Sequence, residues 1–173
     1  VLKDPAFSEI QPDYAFAMHN IPGFPQSVVL VREGSITAAV CSLIIRFQGR
    51  TAHAAQPETG INPIYSIGRL LQKAQSLEVT NPHDQGFTLI TPVYSQVGSK
   101  AYGTAAGAGE IHFTIRSWGN EQLQQTMEQL RNWCEQEAKD RDMAVSFATT
   151  ESFAANHNHP EAVKMLAEAT LEN

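Results

Sequence analysis

Two histidines stand in settings that suit chemistry. His53 lies in Gly49-Arg50-Thr51-Ala52-His53-Ala54-Ala55-Gln56-Pro57, a loop of small residues after an apolar run from Cys41 to Phe47. Its alanine neighbours leave the imidazole uncovered, so another molecule can approach it closely. His19 follows Asp13-Tyr14-Ala15-Phe16-Ala17-Met18 and precedes a break at Pro22 and Gly23, which puts it at a strand end. An imidazole in such a place can ligate a metal or hydrogen-bond a developing negative charge. A catalytic zinc takes about three protein ligands and a water, so one histidine alone holds it poorly. On local sequence, His19 is open between a ligand and a hydrogen-bonded structural residue, and His53 between a functional group and a surface loop residue. Arg116, in Phe113-Thr114-Ile115-Arg116, points opposite to Phe113 and Ile115. Taken alone, it reads as a solvated strand residue. His157 and His159 sit in a loop with no carboxylate partner and read as solvent-exposed; His83 and His112 have no supporting context.

The elements that must position these groups follow from periodicity. Residues 13–18 read as a short buried strand ending at His19. Val28 to Val31 and Ser35 to Val40 flank Glu33-Gly34, the pattern of a hairpin. Cys41, Leu43, Ile45 and Phe47 alternate, so one face of a strand is apolar. Asn62 can cap a helix with Pro63 at its first position, and Ile64, Ile67, Leu71 and Ala74 then share a face. A polar loop over 80–86 leads to a strand over 87–97, with Pro92 at an edge or bulge. Residues 98–109, rich in Gly and Ala, read as a flexible connection. Ile111, Phe113 and Ile115 alternate in a further strand. Asn120 caps a long helix whose stripe is Leu123, Met127, Leu130, Cys134 and Ala138, and Met143, Val145 and Phe147 alternate in the last strand. The order from 41 to about 150 is β-α-β-β-α-β. That order predicts an α+β fold: a ferredoxin-like plait, a four-stranded antiparallel sheet with two helices on one face. A last helix over 160–171, started by Pro160, lies outside it.

Composition narrows the function classes. The chain has 173 residues, a 42% hydrophobic fraction and a net charge of −6. With no basic stripe to neutralise phosphates, and no exposed aromatics at suitable positions on the sheet strands, nucleic acid is not an expected partner. No apolar run approaches the roughly 20 residues of a membrane span. Cys41 and Cys134 fall on an apolar strand and an apolar helix face, and read as buried core thiols in a reduced, cytoplasmic setting. The chain opens with Val rather than Met, which reads as an excised piece; a signal segment upstream stays open.

The two histidine segments together resemble the M20 family of metal-dependent amidohydrolases and peptidases, above all its branch acting on N-acyl amino acids. The segment Asp13 to Pro22 is similar to one whose histidine is a metal ligand, which implies that role for His19. The Gly-x-x-x-His-Ala-x-x-Pro pattern around His53, with Gly60-Ile61-Asn62-Pro63 after it, is similar to the family's lid domain. There the histidine crosses a dimer interface and stabilises the oxyanion of a tetrahedral intermediate in the partner's site, which implies a catalytic role for His53. The Thr-Ile-Arg strand also resembles the lid and implies that Arg116 binds a substrate carboxylate. One departure concerns specificity: relatives often carry Asn-Val-Ile-Pro before this strand, and here the region reads Ala101-Tyr102-Gly103-Thr104-Ala105-Ala106-Gly107.

The resemblance covers the middle of the family's pattern; the Glu-Glu pair and the outer metal-binding segments have no counterpart in the chain. It implies catalytic-domain flanks at 1–40 and 151–173 around a lid and dimerisation domain at 41–150. The expected whole is a homodimeric hydrolase of N-acyl amino acids or short peptides using two divalent ions (Zn, Mn or Co), with none bound stably by this chain and no activity from it alone. The rival expectation is a non-catalytic plait serving dimerisation or small-molecule binding.

Overall fold

The computed structural model describes residues 4–10 and 12–171. The chain divides into two compact units: Thr37 to Asn156, and the residues up to Ile36 together with those from His157 onward.

The larger unit is built on alternation. In β1 (Ala39–Gln48) the side chains of Cys41, Leu43, Ile45 and Phe47 are buried, as are Ile111, Phe113 and Ile115 in β5 (Ala108–Ser117). These two strands are central. With β3 (Thr88–Val97) and β6 (Ala144–Phe153) they form a sheet of order β3-β5-β1-β6, antiparallel at every pairing. The connection from β1 to β3 skips one position, and β5 fills it. This is the ferredoxin-like plait expected from the element order. Two helices carry the crossovers, α2 (Ile64–Ser76) and α3 (Asn120–Asp140). Leu123, Met127, Leu130, Cys134 and Ala138 of α3 are buried in one core with the inward residues of β1 and β5. Each large aliphatic side chain so buried contributes about 1.5–3 kcal/mol. Both cysteines are free and buried. Burial, and then the charges of Glu137 and Glu135, push the Cys134 thiol up to about 12, so it stays protonated and inert at neutral pH.

Pro92 lies on edge strand β3, and the register shifts between Pro92 and Tyr94, the edge-or-bulge setting expected of it. Helix α2 differs from expectation. Its buried residues are Ser66, Ile67, Leu70 and Ala74, while Ile64 and Leu71 are partly exposed. Ser66 can be buried because its hydroxyl donates to Glu137 Oε1 at 2.8 Å, which turns the inner face away from Leu71. The cap position of α2 falls to Pro63 rather than to Asn62, whose Oδ1 still serves the helix start by accepting the Ile64 N–H at 3.0 Å. Asn120 is not the cap of α3; that position falls to Gly119, and the Asn120 side chain instead accepts the Ala155 N–H at 2.8 Å. The connection over 98–109 is not unstructured. It contains β4 (Thr104–Ala105), which pairs with β2 (Ala52–His53).

In the smaller unit, α1 (Phe7–Ile10) and α4 (Pro160–Leu171) are helical. The strand expected over 13–18 and the hairpin around Glu33-Gly34 are absent. Phe16, Met18 and Val28 to Val31 are exposed, and Gly34 bridges to Asn158 instead of turning a hairpin. Alternation makes a strand only when a neighbour supplies ladder partners; among the described residues none does so there.

Candidate functional site

His53 is held by a loop pinned to the sheet at several points. At its root the Gly49 N–H donates to Gly107 O at 2.7 Å. Arg50 and Ile61 then exchange backbone hydrogen bonds at 3.1 and 2.8 Å, and Arg50 Nε donates to Thr59 O at 3.0 Å. His53 itself pairs across the β2–β4 ladder with Thr104, and the Ala54 N–H donates to Gly103 O at 3.0 Å. Two close approaches require glycine. A Cβ on Gly49 would collide with the Ile61 carbonyl, and one on Gly107 with the backbone of Arg50 and Thr51. The small residues of 98–109 that looked like a flexible linker are what let two backbones pack at this distance.

The imidazole of His53 is exposed, and its two nitrogens are distinguished. The Ala55 N–H donates to Nδ1 at 3.1 Å. An acceptor Nδ1 assigns the neutral ring the tautomer with its proton on Nε2. The loop therefore presents a positioned N–H donor to solvent.

His19 is set the opposite way. It is exposed, and its Nδ1 lies 2.8 Å from Asn20 O. A carbonyl only accepts, so Nδ1 carries a proton, and in the neutral ring Nε2 keeps its lone pair, the form that ligates a metal. Among the described residues, no three His, Cys, Asp or Glu side chains are grouped to hold a metal ion. The described residues thus do not by themselves fit a catalytic divalent ion.

Arg116 is exposed on the sheet face away from the helices, opposite Val40 and Leu89 in the register. No side-chain partner is recorded for it among the described residues. The structure does not bring it to His53. The His53 loop is rooted at Gly107, just before β5, whereas Arg116 lies near the far end of that strand, roughly 26 Å along at about 3.3 Å per residue. Its end of the sheet is where the chain enters and leaves the plait, for the Asn156 N–H donates to Thr37 O at 3.3 Å.

The remaining histidines fall elsewhere. His159 is exposed, its ring centroid 6.3 Å from that of Tyr14. The Tyr14 hydroxyl donates to Glu161 at 2.6 Å, and this bond raises its pKa. His112 packs on Tyr94 at 4.8 Å between centroids and stands 3.6 Å from Glu110, which also takes the Arg46 Nε–H at 2.9 Å. That polar cluster on the open sheet face was not legible in sequence, because its members come from three strands.

Comparison with known proteins agrees with this architecture. The sequence profile of the peptidase dimerisation domain of the M20 family matches residues 35–142. The chain belongs to that family. It is 30% identical over 136 residues to an N-acetyldiaminopimelate deacetylase of Enterococcus faecalis, covering 75% of this chain and 34% of that protein. It is 28% identical over 120 residues to an N-acetylcysteine deacetylase of Bacillus subtilis, covering 69% and 31%. A solved dinuclear metal-binding peptidase of the M20 family from Bacillus subtilis superposes with a TM-score of 0.68 at 20% identity, over 89% of this chain and 37% of that one, which shows the shared fold. The chain spans about a third of the length of the curated relatives it matches. Among the described residues, no helix is long and apolar enough to cross a membrane.

Proposed function

We propose that this chain is the lid and dimerisation portion of a metal-dependent amidohydrolase that cleaves the amide bond of N-acyl amino acids or short peptides. The observation that carries the reading is the positioned Nε2–H of His53. A donor fixed before substrate arrives is what stabilises an oxyanion, because no reorganisation is needed as charge develops. Deacetylase activity in the relatives supports the same bond class. In this reading the lid covers 41–150, and residues 1–40 and 151–173 belong to the catalytic domain. The complete polypeptide would bind two divalent ions, zinc, manganese or cobalt, with His19 as one ligand. The protein is a homodimer, and its free buried thiols fit a cytoplasmic setting.

The separation of His53 and Arg116 adds a constraint. An extended chain spans at most about 3.3–3.6 Å per residue, so a short substrate cannot touch both groups of one subunit. If both act, His53 reaches into the partner's site while Arg116 binds the substrate carboxylate in its own. The test uses the complete, metal-loaded polypeptide. His53→Ala and Arg116→Ala each lose most activity alone. Co-expressed, half the dimers are mixed and each mixed dimer regains one intact site, so about a quarter of wild-type turnover returns. Full activity in His53→Ala would instead favour a non-catalytic dimerisation module. Two weakened variants without restoration would put His53 and Arg116 of the same subunit in one site.

A further inference from the structure

Tyr102 is the one aromatic side chain in the connection between β3 and β5, and it is 96% exposed. It occupies a tight turn: the Thr104 N–H donates back to Ala101 O at 3.0 Å, with Tyr102 and Gly103 between them. This turn is joined to the His53 loop directly. Thr104 is the cross-strand partner of His53, and Gly103 O takes the Ala54 N–H. Directly opposed residues lie about 4.5–5.5 Å apart at Cα, so Tyr102, two residues from that pair, stands on the order of 10 Å from His53. Both belong to one backbone assembly pinned by the Gly49–Gly107 contact. Alanines flank both in sequence: Ala52, Ala54 and Ala55 beside His53, and Ala101 and Ala105 near Tyr102. The result is an uncovered aromatic side chain and an uncovered hydrogen-bond donor on one pinned backbone assembly.

We propose that Tyr102 is a specificity-determining residue that enters the substrate site together with His53 and favours N-acyl amino acids with an aromatic acyl group. This rests on the reading of His53 as the donor to the scissile carbonyl. The acyl group is bonded to that carbonyl, and Tyr102, whose Cα stands on the order of 10 Å from that of His53, is near enough for its long side chain to meet what lies next to it. A phenol ring with both faces open offers an aromatic acyl group an offset stack or an edge contact, worth more than area burial alone. An acetyl group has no such surface to offer.

The experiment compares wild type, Tyr102→Ala and Tyr102→Phe in the complete metal-loaded polypeptide, on N-benzoyl and N-acetyl derivatives of one amino acid. Tyr102→Ala should lower the benzoyl-to-acetyl ratio of kcat/KM by about tenfold, mostly through KM, and Tyr102→Phe should restore it. Because the side chain is almost wholly exposed, melting temperature and dimer mass should be those of wild type. An unchanged ratio in Tyr102→Ala overturns the proposal, as does a Tyr102→Phe variant that behaves like Tyr102→Ala, since the ring would then not be the recognising group. His53→Ala in the same assay separates the two ideas. A large fall there with an unchanged Tyr102→Ala ratio rejects only the role of Tyr102. An unchanged His53→Ala rate rejects the catalytic role of His53, and this inference with it.

Discussion

The plait and the residues that flank it carry one candidate histidine each, and they hold it in opposite ways. Around His53, backbone hydrogen bonds, a short ladder and glycine-only contacts fix the loop before anything binds. Around His19 the recorded support is one hydrogen bond to the neighbouring carbonyl, and the segment before it pairs with no strand among the described residues. The ring nitrogens follow suit: His53 exposes an N–H, and His19 exposes a lone pair. The difference teaches what each task requires of a fold. A transition-state donor works only if its position is set in advance. A metal ligand can be drawn into place by the ion and its other ligands, because binding and local ordering are coupled.

The comparison breaks first at His53. If the proposed function holds, His53→Ala in the complete polypeptide should lower kcat by about 10²–10³ while KM moves little, the signature of losing a transition-state donor. Steady-state kinetics at saturating metal read this directly, and a change within a few fold would leave His53 a loop residue. At His19 the expected loss is in metal, not in the chemical step. His19→Ala should weaken metal retention by at least the about 10–100-fold that losing an outer-shell partner costs. Excess metal should recover much of the rate, and a chelator titration gives the shift. Equal metal retention in wild type and variant would remove His19 from the ligand set.

The rigidity of the His53 loop is tested at Gly107. Gly107→Ala drives a Cβ into the Arg50–Thr51 backbone, and such overpacking costs about 1–3 kcal/mol. Urea unfolding should show that loss, with a fall in kcat smaller than that of His53→Ala. Gly68 is the control: it lies in α2 with nothing near its would-be Cβ, so Gly68→Ala should stabilise by about 0.5–1 kcal/mol. If both variants behave alike, close packing at Gly107 is not what holds the loop.

The same contrast explains what could be read from sequence. Cys41 to Phe47, Ile111 to Ile115 and the α3 stripe were legible because each is long, periodic and buried on one side. Asn62 and Pro92 were legible because their chemistry allows few positions. The segment over 13–18 misled, since the alternation of Phe16 and Met18 says nothing about whether a partner strand exists. The face of α2 misled because Ser66 is buried through a hydrogen bond to α3, 71 residues away in sequence. The β2–β4 ladder was hidden for a related reason: it rests on Gly107 and Gly49 approaching closely, and glycine in a sequence reads first as freedom. The local setting marked His53 as uncovered, but which nitrogen it presents came only from the Ala55 N–H.

The smallest expected effect concerns the helix layer above the sheet. Glu137 on α3 accepts from Ser66 and Arg69 of α2 and from Arg141 at the end of its own helix. Burial alone would raise its pKa, but these hydrogen bonds, with the charge of Arg69, outweigh that and hold it below the ordinary glutamate value. A carboxylate depressed in the folded state stabilises fully above its unfolded pKa, about 4.3, and loses that contribution as pH falls toward the folded value. Glu137→Gln should therefore be less stable than wild type at pH 7, and the gap should close on acidification below about pH 4.3. Both arginines are partly exposed, so screening keeps the effect modest and added salt should shrink it. Urea midpoints across this pH range check the sign. A gap that widened in acid would mean that Glu137 is held protonated, and that the α2–α3 contact rests on its hydrogen bonds without its charge.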